Sequence, residues 1–207
     1  MRKFIFGLLA AFSFMSFVSC RSEITLTAQK DGSLIVEFNG ECGAYFEKMV
    51  REFTGSKSSI LFNPAELKQD FVASGFTNIT CTAPSTVGLY VKMTETGKSF
   101  LSKSEMVVSD KNNVILSLSP DILKSFYNSA DSTIVTVLDL LISPVFNDEI
   151  MSEEEYLEML GSFYGNEASE EVGNCNILLT LISSNGQKKE ASLPLAKLLC
   201  LNEKLVF

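Results

Sequence analysis

Ile24 to Phe38 reads ITLTAQKDGSLIVEF. Apolar and polar residues alternate through "ITLTAQ" and again through "LIVEF", the period of a half-buried strand. Between them "KDGS", with Asp31-Gly32, is a turn. The stretch is therefore a β-hairpin with one face to bury. The next segments are helical. In "AYFEKMVREF", Phe46, Met49, Val50 and Phe53 recur at the spacing of one helix face, and Gly55 ends the run. "NPAELKQDFVASGF" has Asn63 to cap, Pro64 at the first helical position, Glu66 in a box-like place and Gly75 to terminate. Leu67, Phe71 and Val72 form its apolar face.

Strand patterns then return in "NITCTA", "GLYVKMTE", "SEMVVSD" and "NVILSLS", separated by Pro84, Gly88, Gly97 and the "DKNN" turn. "SPDILKSFYNSA" is a helix capped by Ser119. "STIVTVLDLLI" follows helical spacing through Ile134, Val137, Leu138, Leu141 and Ile142. "SEEEYLEMLGSFYG" has Ser152 and Glu155 as a capping box, Leu157, Leu160 and Phe163 as its apolar residues, and a stop at Gly161 or Gly165. "NCNILLTLISSNGQKKEASLPL" is a second hairpin around Asn185-Gly186. "LAKLLCLNEKLVF" closes the chain as a short helix or a last strand. Strands in runs and helices in runs, without strict alternation, predict an α+β fold: a largely antiparallel sheet packed with several amphipathic helices.

Upstream of the hairpin, Arg2 and Lys3 precede an apolar run from Phe4 to Val18, broken only by Ser13 and Ser16. It is too short to span a bilayer comfortably, since a spanning helix needs about 20 residues. A basic start, a short apolar core and small residues at its end describe a secretory leader. The run finishes on "FVSC", with Ser19 directly before Cys20. This resembles the lipobox of bacterial lipoprotein signals, in its relaxed spirochaete-like form, with Phe17 where an aliphatic residue is usual. The resemblance covers residues 1–20. It implies cleavage before Cys20, a thioether-linked diacylglycerol on its thiol, and an acylated amine. Two or more acyl chains anchor stably where one does not. The division expected is 1–19 leader, 20–22 lipidated start and short tether, and 23–207 one globular α+β domain, held to a bacterial membrane at the cell envelope.

Of the 17 basic residues two lie in the leader and none of the 25 acids does, which takes the net charge from −8 to about −10 for the remainder. So acidic a chain is a poor partner for nucleic acid. With no histidine, every Ser-His or Cys-His nucleophile pair and every histidine-containing zinc site is excluded. Cys42, Cys81, Cys175 and Cys200 form no C-x-x-C pair. They are either two disulfides or buried thiols, and the length of the domain, which needs no staples, favours thiols. Cys42 precedes a helix, a place where a thiolate can be stabilised, but it has no histidine partner. Glu153, Glu154, Glu155 and Glu158 gather at a helix start, where the dipole accounts for them, and lack the spacing of a calcium loop. No nucleotide or phosphate motif occurs. These readings name no catalytic residue, metal ligand, cofactor or particular protein partner. They describe a membrane-anchored lipoprotein with a non-catalytic binding or structural module. The alternatives are a carrier of an apolar ligand and a histidine-free enzyme.

Overall fold

The computed structural model describes residues 19–55, 57–110, 112–129, 141 and 143–207. Strands β1 (Ser19–Ala28) and β2 (Leu34–Glu41) form the first hairpin, with Ile24 opposite Phe38 and Leu26 opposite Val36. Its turn is held by Asp31, whose carboxylate accepts from the Ser33 amide at 2.9 Å and the Ser33 hydroxyl at 2.7 Å. Helices α1 (Ala44–Thr54) and α2 (Pro64–Ala73) come after it, then β3 (Thr77–Thr82) and β4 (Gly88–Glu95). Short α3 (Phe100–Lys103) leads to β5 (Val107–Ser109) and β6 (Val114–Leu118). Next come α4 (Pro120–Ser129), α5 (Ser143–Phe146), α6 (Glu153–Tyr164) and α7 (Asn166–Gly173). The chain ends through β7 (Asn176–Ile182), β8 (Lys188–Pro194), α8 (Leu195–Leu199) and β9 (Leu205–Val206).

Six strands make the main sheet in the order β3-β4-β2-β1-β7-β8, and β5-β6-β9 make a second. Every neighbouring pair is antiparallel except β1 with β7. That parallel pair joins the N-terminal hairpin to the C-terminal one and makes β1 an interior strand. The fold is α+β, as the order of elements predicts. Ile24, Leu26, Val36, Phe38, Val91, Met93, Leu179 and Leu181 share one face and are all buried. The opposite face carries Thr25, Glu37, Tyr90, Lys92 and Thr180, half-buried or exposed. On it Glu37 accepts from Tyr90 Oη at 3.0 Å and pairs with Lys92 Nζ at 3.1 Å. One packed face and one wet face is the usual state of an antiparallel sheet. Both edges are blunted against further pairing. β8 presents Lys188, Lys189 and Glu190, and β3 breaks register between Thr77 and Thr80, where Asn78 has φ 51°.

Several local expectations change. β1 takes in residues 20–22, where the sequence predicts a tether: Ser22 is fully buried, opposite Gly40 and Ile177. Leu67 and Phe71 are buried but Val72 is exposed, because 100° per residue carries it off a narrow stripe. Asn63 caps α2 by accepting from the Ala65 amide at 3.1 Å, while Glu66 accepts from the Asn63 side chain, at 2.8 Å, rather than from backbone. "SEMVVSD" yields only the three-residue β5, after an α3 that alternation conceals. In α6, Tyr156 and Leu160 are buried, whereas Phe163 is 76% exposed, because 100° per residue turns it away from the side on which Tyr156, Leu160 and Tyr164 pack. The end of the chain forms both a helix and a strand, α8 and β9. The segment "STIVTVLDLLI", expected as a helix, lies outside the described residues apart from Leu141, which is buried. No helix among the described residues is long and apolar enough to cross a membrane.

Candidate functional site

The sites named from the sequence are scattered over the fold. Cys20 lies at the start of β1, and residues 1–18 are outside the described residues. Cys42, Cys81, Cys175 and Cys200 are free thiols; all but the half-buried Cys81 are buried. Burial pushes each resolved thiol up: Cys81 to about 11, Cys200 to about 11, and Cys42 well above the usual thiol range, where Glu171 and Glu47 add to the effect. The α1 N-terminus does not serve Cys42. Its first-turn amides at Tyr45 and Phe46 donate to the two carboxylate oxygens of Glu171 on α7, at 3.0 and 3.1 Å. A fixed anion already answers the positive end of that helix, so Cys42 is held as a neutral thiol.

Among the described residues Glu95 is the one carboxylate that is fully buried. It ends β4 and accepts from the amides of Gly97 at 2.8 Å and Ser99 at 2.9 Å and from the Ser102 hydroxyl at 2.7 Å. Burial pushes its carboxyl up, but these donors outweigh burial and hold it below the usual glutamate value. Its role is to fold the 95–102 segment back onto the sheet. Among the described residues no carboxylate shares a proton with it, and its oxygens are engaged.

Glu153, Glu154, Glu155 and Glu158 fall in the first turns of α6. Glu155 closes the capping box: it accepts from the Ser152 amide at 2.7 Å, and its own amide donates to Ser152 Oγ at 3.2 Å. Those bonds, the backbone one foremost, hold its carboxyl below the usual value. Among the described residues no three His, Cys, Asp or Glu side chains converge to hold a metal ion.

What the sequence reading missed is the corner between α6 and α7. Gly165, at φ 92° and ψ 159°, joins the two helices directly. Ser169 Oγ donates to the Leu157 carbonyl at 2.8 Å and clamps them. At Gly161 the helices come close enough that an added Cβ would lie 3.5 Å from the Ser169 Cβ. The corner leaves an open hollow of about 770 Å³ lined by Glu154, Leu157, Glu158, Ser162, Asn166 and Ser169. Its lining is acidic through Glu154 and Glu158, and the chain carries no lysine or arginine between Lys124 and Lys188. A second open hollow, about 620 Å³, lies on the wet face of β1, β7 and β8 and mixes Glu23, Thr25, Leu178, Lys188 and Glu190. The sequence signal for the corner was "YGNEASEEVG", a glycine followed by a short helical pattern with Ala168 and Val172 at i and i+4. Both are buried.

No family model, curated protein or solved structure matches this chain.

Proposed function

We propose that this chain is a cell-envelope lipoprotein, acylated at Cys20, whose α+β domain serves as a non-catalytic binding or structural module. The observation that carries the reading is the basic-then-apolar leader that ends at Ser19-Cys20, followed at once by the first strand of the sheet. An acylated cysteine there would be joined directly to a folded domain. Against catalysis stand the absence of histidine, the saturated oxygens of Glu95 and thiols that burial keeps protonated. Proton transfer at neutral pH needs a group poised near that pH. Against a carrier, both described hollows are open and lined by charged and hydroxyl groups as well as Leu157 or Leu178. A lipid carrier needs a mostly apolar concavity.

The test is metabolic labelling with radioactive palmitate. The wild-type chain incorporates label and partitions with membranes, and Cys20→Ala does neither. Label that persists in Cys20→Ala would sink the assignment.

A further inference from the structure

We propose that the end of the main sheet where β1 begins rests on the lipid headgroup layer, so that the domain stands on the membrane by its strand ends. This rests on the acylation of Cys20 proposed above. The reach of the chain decides it. Ser22 is fully buried and registered against Gly40 on β2 and Ile177 on β7. Only Arg21 separates it from Cys20. Two fully extended residues span at most about 7 Å. A lipid chain on Cys20 therefore holds the sheet's end within headgroup distance of the bilayer.

The place of attachment adds to this. β1 is an interior strand, with β2, β4 and β3 on one side and β7 and β8 on the other. At a strand spacing of about 4.8 Å the farther edge lies only about 14 Å to the side. An anchor at an edge would let the sheet swing down flat; an anchor near the middle, on a residue that is itself part of β1, holds it upright. Exposed residues at this end include Glu41, Thr82, Thr86, Asn174 and Asn176, and the segment with exposed Lys57, Ser58 and Ser59 is tied to it through the Leu61 amide, which donates to the Thr86 carbonyl at 2.7 Å. They are polar, and Glu41 accepts from Ser85 Oγ at 3.1 Å. Such a rim lies among headgroups without inserting apolar surface. The turns with Lys30, Asp31, Asn185 and Gln187 form the opposite end, about 20 Å away by the rise of β1 from Ser22 to Ala28.

The full chain, extracted from membranes with its lipid, is reconstituted in phosphatidylcholine vesicles carrying a headgroup spin-label quencher. Thr86→Cys and Asn185→Cys variants, each with Cys81→Ser, carry a fluorophore. With about 20 Å between the two ends, the Thr86 label is quenched at least about twofold more than the Asn185 label. Inserting about 20 Gly/Ser residues between Cys20 and Arg21, with a span of about 25 Å, abolishes the difference. Equal or reversed quenching in protein that floats with the vesicles overturns the orientation while leaving the anchor intact. Protein that does not float overturns the acylation reading, and the orientation with it.

Discussion

Replacing Glu95 by glutamine tests how the end of β4 is held. Oε1 serves the Ser99 amide, and Oε2 serves the Gly97 amide and the Ser102 hydroxyl. Ser99 is fully buried and Gly97 is exposed. A glutamine has one oxygen. Turned toward Ser99, it abandons Gly97 to water, keeps the Ser102 hydroxyl as an acceptor for its amide, and loses charge assistance throughout. Hydrogen bonds to a charged group contribute about 1.5–3 kcal/mol against about 0.5–1.5 for neutral pairs, so Glu95→Gln costs about 2 kcal/mol. For a domain of this size that lowers Tm by roughly 4–8 °C. Glu95→Ala leaves the buried Ser99 amide with no acceptor and costs about 3–4 kcal/mol. The effect has a pH signature. The carboxyl sits below its usual value in the folded state, so its contribution is fully present above the unfolded value of about 4.3 and is lost as pH falls through the folded one. Urea unfolding followed by far-UV circular dichroism, apt for a chain without tryptophan, measures both. Glu149→Gln, at an exposed site, is the control and stays within about 0.5 kcal/mol. If Glu95→Gln stays within about 0.5 kcal/mol of wild type at pH 7, or the gap does not narrow toward pH 3, the carboxylate is not what holds this segment.

Gly165→Ala places an L side chain at φ 92°, where its Cβ meets no neighbour, so the loss of about 1–3 kcal/mol in urea unfolding is backbone strain alone; an unchanged midpoint would mean that the α6–α7 corner is not as described. In the native domain Cys42, Cys175 and Cys200 resist alkylation while Cys81 reacts slowly, and denaturant without reductant exposes these four thiols, the acylated Cys20 having none; no alkylatable thiol among the four would mean two disulfides. Calorimetric titration with Ca²⁺, Mg²⁺ and Zn²⁺ gives no binding tighter than about 100 μM, the weak end of protein calcium sites; a micromolar isotherm lost in Glu154→Ala or Glu158→Ala would restore the enzyme alternative.

The hairpins and caps were legible because their signals are local. Asp31-Gly32 and Asn185-Gly186 mark turns, and Ser152 with Glu155 closes a box four residues long. The parallel pairing of β1 with β7 was not legible, since it joins residues about 150 apart and depends on which sheet face each hairpin buries. Glu171 escaped notice for the same reason: in sequence it is one more acid on a short helix, and only the packing of α7 brings it to the amides of Tyr45 and Phe46. Glu95 sits at a strand end followed by Gly97 and Ser99, a local turn pattern, but its burial is a tertiary fact. The α6–α7 hollow depends on a chain reversal at one glycine, and Gly165 reads equally well as a plain helix stop.

The lipid anchor is tested most directly by the intact mass and N-terminal peptide of the protein extracted in detergent from the membranes of cells that make it. Acylation at Cys20 gives a chain that begins at that residue, heavier than the unmodified residues 20–207 by a diacylglycerol and an amide-linked acyl chain, with the added mass confined to the peptide containing Cys20. An N-terminal peptide with an unmodified Cys20, or a mature chain that begins after it, would show that the protein is not held to the membrane in this way.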